Sequence, residues 1–213
     1  MNIQEWTRLL WQQIGATPPL EWIAVSLSVT EVLLARANRI WLYPAGIGAV
    51  TLTIFIFFEA GLYAECLLNG YYLAMSIYGW WYWVKKKHKP AVKVSFTNAG
   101  EWKIVALIVG IGFPGLFLAL KYFTPSTVPV ADAFVSATAW AGMWLLARRK
   151  VENWLLLNIS NAAAVPLLLH KELPLYALLT VFLFIIAVIG YFNWRKTARQ
   201  NESGSNLLVP SIE

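Results

Sequence analysis

Seven apolar stretches, each about as long as a bilayer crossing, limit what this chain can fold into more than any other feature. They run near 20–36, 41–58, 66–84, 102–123, 130–147, 153–169 and 174–194. A spanning helix needs roughly 20 mostly apolar residues, because lipid offers no water to satisfy backbone N–H and C=O groups. The expected fold class is therefore an all-α integral membrane protein with seven transmembrane helices. Of the 213 residues 59% are hydrophobic and 13% charged, and the apolar residues come in blocks rather than in the spacing of a soluble amphipathic helix.

A net charge of +6 would in a soluble chain raise nucleic acid as a partner. Here the cations sit in short clusters between apolar blocks, with no basic face interleaved with stacking aromatics, which excludes that class. Arg36 and Arg39 follow the first stretch, and Lys85, Lys86, Lys87, Lys89 and Lys93 the third. Arg148, Arg149 and Lys150 follow the fifth, and Arg195, Lys196 and Arg199 the seventh. Alternate connections thus hold 13 of the 17 Lys and Arg, which by the positive-inside rule puts the N-terminus outside and the C-terminus in the cytoplasm.

Residues 1–19 are too polar to span and read as an interfacial segment, with Trp6, Leu9, Leu10 and Ile14 on its apolar side. The short connections leave one membrane domain, divided into a three-helix unit at 20–84, a basic loop and linker helix at 85–129, and a second three-helix unit at 130–195. Residues 196–213 read as a disordered cytoplasmic tail. The single cysteine, Cys66, excludes an intramolecular disulfide. His88 and His170 sit in no metal-ligand pattern, and GxSxG, phosphate-loop and paired-carboxylate arrangements are missing, so neither an enzyme nor a cofactor is expected.

The two three-helix units echo each other. Glu21 and Asp132 open them, LLAR recurs at 33–36 and 145–148, and Trp41 is matched with Trp154. GLYA at 61–64 echoes PLYA at 174–177, and GWWYW at 79–83 echoes GYFNW at 190–194, all at offsets of 111 to 113 positions. Three helices followed by one linker, with GIGFPG at 110–115 as a flexible stretch inside it, bring the second unit in with the orientation of the first. That is a parallel 3+1+3 arrangement, SWEET-like, with a substrate site expected near the midplane between the halves.

Polar and aromatic side chains at helical spacing are the candidates for that site. Trp154, Leu157, Asn158 and Asn161 share one face, as do Asn69, Tyr72, Ser76 and Trp80. Asn38 and Trp41 share a face at the start of the second stretch, and Tyr191 and Trp194 close the seventh. The substrate-binding set expected is Asn38, Trp41, Asn69, Tyr72, Trp154, Asn158, Asn161, Tyr191 and Trp194. Amides and rings with few charges suit a flat, hydroxylated solute, including one with a cationic ring. The competing readings are that Trp80, Trp81, Trp83 and Trp194 are interface anchors and that the asparagines only bond between helices. Glu31, an acid inside the first stretch, is a candidate for proton coupling, or else a structural partner of Arg36.

At these residues the chain also resembles a known family. Asp132, LLARRKVENWLLLN, Pro166 through HKELPLYALL, and GYFNW, with NRIWLYPAGI and YYLAMSIYGWWYW in the first half, resemble the PnuC family of vitamin-precursor transporters over residues 20–195. The resemblance implies the 3+1+3 fold in a bacterial inner membrane and facilitated diffusion of nicotinamide riboside, a small-molecule substrate. It also implies functional coupling to a cytoplasmic kinase, which traps the riboside as its charged phosphate without any ATP site in the carrier. The family's pattern of Trp, a second Trp three on, and Asn or Asp four further on falls on Trp154, Leu157 and Asn161, so Leu157 departs from it. Asn69 stands where a longer amide is expected. Both departures bear on substrate choice, since relatives of the family are associated with thiamine or riboflavin. Oligomeric state is left open, a homo-oligomer included.

Overall fold

Proline and left-handed turns punctuate the chain. Pro19, Pro129 and Pro174 each occupy the first residue of a helix, where a missing N–H costs no hydrogen bond. Asn98 and Glu101 form a reciprocal capping box at another helix start, with Glu101 N donating to Asn98 Oδ1 at 2.9 Å and Asn98 N to Glu101 Oε2 at 3.1 Å. At the other ends, Asn38, Arg149 and Glu172 take positive φ of 55°, 57° and 57°. Each lies two residues beyond a helix and closes it with paired backbone bonds, such as Arg39 N to Leu34 O and Asn38 N to Ala35 O, both 2.9 Å. These are Schellman closures built without glycine.

The computed structural model describes residues 3–60, 63–84 and 93–206. Among them are eight helices: α1 (Ile3–Ala16), α2 (Pro19–Arg36), α3 (Leu42–Glu59), α4 (Tyr63–Val84), α5 (Ala99–Phe123), α6 (Pro129–Ala147), α7 (Asn153–His170) and α8 (Pro174–Asn206). The apolar stretches read from the sequence coincide with α2 to α8. Four helices, α3, α5, α6 and α8 through Ser203, are each long and apolar enough to cross a membrane. α1 and α2 pass that test as a pair, bent by 105°. The amides of α7 and the tyrosines and Asn69 of α4 dilute the apolar character of those two helices.

Boundaries recur with one constant shift. α2 and α6 end 111 residues apart, and so do the left-handed Asn38 and Arg149, the starts and ends of α3 and α7, and the starts of α4 and α8. This register corrects part of the match read from sequence: Trp41 pairs with Glu152, and Trp154 pairs with Tyr43.

Packing follows chain order. α2 packs on α3 and α3 on α4; α6 packs on α7 and α7 on α8. Two seams, α4 against α6 and α2 against α8, close these six helices into a ring, while α5 packs mainly on the outside of α6. α1 lies over α8, where Gln13 Nε2 donates to Glu172 O at 2.8 Å and Leu175 N donates to Gln13 Oε1 at 3.2 Å.

Three local expectations change. GIGFPG is helical throughout, with Pro114 inside α5, because a helix in lipid keeps its backbone paired where a soluble one would break. The tail expected to be disordered begins as helix, since α8 continues to Asn206, and Asn201 Nδ2 donates to Val94 O at 3.0 Å. Residues 93–98 leave the basic loop as a strap: Ser95 forms a parallel bridge with Lys150, and Val94 is buried against Trp83, Trp154 and Trp194. The calls made for the lysine cluster and His88 at 85–92, for Gly61 and Leu62 of GLYA, and for the tail at 207–213 lie outside the described residues.

Candidate functional site

Two matched aromatic pairs stand where the ring of helices closes. In the first, Tyr43 on α3 meets Trp83 on α4 edge to face, centroids 5.0 Å apart and planes at 88°. In the second, Trp154 on α7 meets Trp194 on α8, 5.7 Å apart at 87°. All four residues are related by the 111-residue shift. Glycine makes both contacts: a Cβ at Gly79 would strike the Tyr43 ring, and one at Gly190 would come within 2.7 Å of the Trp154 indole. T-shaped rings contribute about 0.5–1.5 kcal/mol beyond the area they bury.

These rings carry polar groups that the protein leaves unpaired. Tyr43 Oη, Ser76 Oγ, Trp154 Nε1, Asn158 Oδ1 and Asn38 Oδ1 are buried with no hydrogen-bond partner among the described residues. Ser76 lies one turn before Gly79, so the first pair and this hydroxyl share a face of α4. A buried unsatisfied donor or acceptor costs about 1–3 kcal/mol, a penalty that a polar ligand removes.

The residues expected from sequence divide clearly. Trp154 and Trp194 meet as above, with Tyr191 packed against their cluster. Asn158 and Asn161 follow Trp154 on α7 and are half-buried, like Asn69 and Tyr72 on α4. Tyr72 touches Tyr71 edge to face at 6.3 Å, and Tyr71 stacks on Trp140 of α6 at 4.5 Å. Trp41 is 69% exposed at the α3 N-cap. Trp80 and Trp81 are exposed, as interface anchors would be, but Trp83 and Trp194 are buried core residues at 9% and 1% exposure. Leu157 lies against Gly142 of α6, so its departure from the family pattern falls on a helix contact. Glu31 packs over Gly46 and makes no ion pair with Arg36.

Sequence reasoning passed over Tyr43. The signal was present in GWWYW and GYFNW, whose offset of 111 carries Trp154 back to Tyr43 rather than to Trp41.

Below the rings the charges are engaged with one another. Glu101 takes Lys150 Nζ at 2.9 Å and Arg148 at 3.5 Å, and Lys150 also donates to Ser95 Oγ at 3.0 Å. Arg149 lies flat over the Trp83 ring, 3.6 Å from its centroid, and burial holds its guanidinium below the usual value. Thr97 donates to Glu152 Oε2 through its N–H at 2.8 Å and its hydroxyl at 2.5 Å.

Comparison with known proteins fits a helical ring with uncharged polar groups inside. The family model described as nicotinamide mononucleotide transporter matches residues 18–196. The chain belongs to this transporter family. Similar members are the nicotinamide riboside transporters PnuC of Escherichia coli (strain K12) and Shigella flexneri, each 28% identical over 214 aligned positions, covering 86% of this chain and 89% of the relative. The fold is that of the crystal structure of the vitamin B3 transporter PnuC, with a TM-score of 0.68 at 22% identity, over 92% of this chain and 90% of that one. As a member of a transporter family this is a membrane carrier rather than an enzyme.

In this transporter a lateral cavity of about 410 Å³, lined by Leu67, Ile111, Gly112, Gly115 and Trp140, lies between α4, α5 and α6. A neighbouring cavity of about 380 Å³ holds Asp132, Ser136 and Lys171, with Lys171 Nζ 2.6 Å from Asp132 Oδ1. Neither is lined by a residue of the expected set.

Proposed function

We propose that the chain carries nicotinamide riboside across a bacterial inner membrane by facilitated diffusion, one three-helix unit rocking against the other, and that cytoplasmic phosphorylation traps the product. Relatives named as nicotinamide riboside transporters support the substrate. The observation that carries the reading at this chain's own residues is the set of unpaired, uncharged polar atoms beside two aromatic pairs. Nicotinamide riboside offers a cationic ring for those faces and hydroxyls and an amide for those atoms. The proposed site is Trp154, Asn158, Asn161 and Tyr191 facing Asn38, Asn69 and Tyr72, joined by Tyr43 and Ser76; Trp194 positions Trp154, and Trp41 lies at the edge.

The family's description names the mononucleotide, but a phosphate needs cations. Arg148 and Lys150 are paired with Glu101, Arg149 lies against the Trp83 ring, and the unpaired atoms of Tyr43, Ser76, Trp154, Asn158 and Asn38 are neutral, which favours the unphosphorylated riboside. The constant 111-residue shift supports a parallel 3+1+3 arrangement of seven spans with the N-terminus outside. The test is uptake of labelled nicotinamide riboside into proteoliposomes. Competition by unlabelled riboside but not by the mononucleotide is expected; full competition by thiamine or riboflavin instead would overturn the substrate.

One observation favours a second reading. Glu31 lies inside α2 over Gly46 and forms no ion pair among the described residues, as a proton-coupling acid would. That reading requires uptake to respond to a pH gradient and Glu31→Gln to abolish the response.

A further inference from the structure

Each of the two matched tryptophans reaches across a seam. Trp83 Nε1, on α4, donates to Ala147 O at the end of α6, 3.1 Å away, and the bond is buried. Trp194 Nε1, on α8, donates to Ala35 O at the end of α2, 3.0 Å away, and is buried too. The donors are 111 residues apart, and the acceptors stand within one residue of the same register. Both acceptors lie in the last turn of a helix, where carbonyls lack partners within the helix; Ala35 O also accepts from Asn38 N, so Trp194 is its second donor, and each indole reaches a carbonyl of the other three-helix unit.

We propose that Trp83 and Trp194 are paired positioning residues, a clasp that holds the cytoplasmic ends of α2–α4 and α6–α8 together and must open at both seams to release substrate inward. The inference rests on the transport reading above and adds to it the groups that set the balance between states. Three features fit a clasp better than general packing. Both bonds cross between units, where a rocking motion must separate atoms. Both lie at the end of the bundle that carries Arg36, Arg39, Arg148, Arg149 and Lys150. Both indoles also hold the ring next to a proposed ligand group, Tyr43 for Trp83 and Trp154 for Trp194, so clasp and site share the same aromatic pairs.

Cross-seam bonds of this kind bias an equilibrium without entering the ligand's contacts. A buried hydrogen bond shifts a two-state balance by roughly threefold to tenfold, so losing both shifts it by about tenfold to a hundredfold. Phenylalanine keeps an aromatic ring but removes the N–H.

The test uses the full chain in vesicles, with Cys66→Ser as background and Ala187→Cys as reporter, since Ala187 is buried beside these rings. An impermeant maleimide is added from either side. The clasp predicts that Trp83→Phe and Trp194→Phe each speed labelling from the cytoplasmic side about threefold to tenfold. The double variant should speed it multiplicatively, and labelling from the outside should not rise. Uptake by the variants should show a changed maximal rate. Labelling that rises equally from both sides, or not at all in variants that elute as folded protein, overturns the clasp. If the double variant does not fold, the single variants carry the same comparison. Riboside binding by the unsubstituted protein separates the two ideas: without it the transport reading fails, whereas binding with unchanged labelling fails the clasp alone.

Discussion

At the residue scale, glycine decides where rings can go. Gly190 and Gly79 are the floors on which Trp154 and Tyr43 rest, whereas a Cβ at Gly115 would meet nothing within 4 Å. Gly190→Ala is therefore expected to cost about 1–3 kcal/mol through overpacking, and Gly115→Ala to be neutral or to gain about 0.5–1 kcal/mol of helix propensity. Thermal unfolding in detergent checks both; equal shifts would contradict the packing argument. Leu157 sits in the same kind of contact, against Gly142, with little room beside it. Restoring the family's aromatic as Leu157→Trp should lower stability by about 1–3 kcal/mol before it changes substrate preference, and the same melting measurement against uptake competition separates the two effects.

At the element scale, the strap at 93–98 and the extension of α8 are the parts that apolar periodicity does not reveal. The strap is held by backbone bonds, Ser95 N to Arg149 O at 3.2 Å and Val151 N to Ser95 O at 3.1 Å, and by Glu152 receiving Thr97. Val94 inserts from it into the aromatic core with 2% of its surface exposed. Val94→Asp would bury an unpaired charge beside three tryptophans, and a loss of several kcal/mol is expected. Glu152→Ala should leave the helices intact but raise deuterium exchange at Thr97 and its neighbours, because that amide loses its acceptor. Unchanged exchange there would mean that Glu152 does not hold the strap.

At the scale of the whole molecule, the seven spans proposed above would put the two termini on opposite sides of the membrane. Reporter fusions active only outside the cytoplasm should work at the N-terminus and fail at the C-terminus, and the same side for both would contradict seven spans. The number and placement of α2 to α8 as helices were legible in the sequence, because each coincides with an apolar run of its own. Trp154 and Asn158 were legible as polar members of an apolar helix. The burial of Trp83 and Trp194 and the role of Tyr43 were not, and the register was legible only as a spread of 111 to 113 positions. An indole near a basic cluster reads the same whether it anchors at an interface or donates across a seam, and only the position of the opposite helix end distinguishes the two. By itself the sequence determined a helical membrane protein and its helices, since burial in lipid is a property of each segment alone. The tertiary structure decided which rings meet and which carbonyls they cap, since the rings stand 40 positions apart in the chain and the indole-to-carbonyl bonds span 64 and 159.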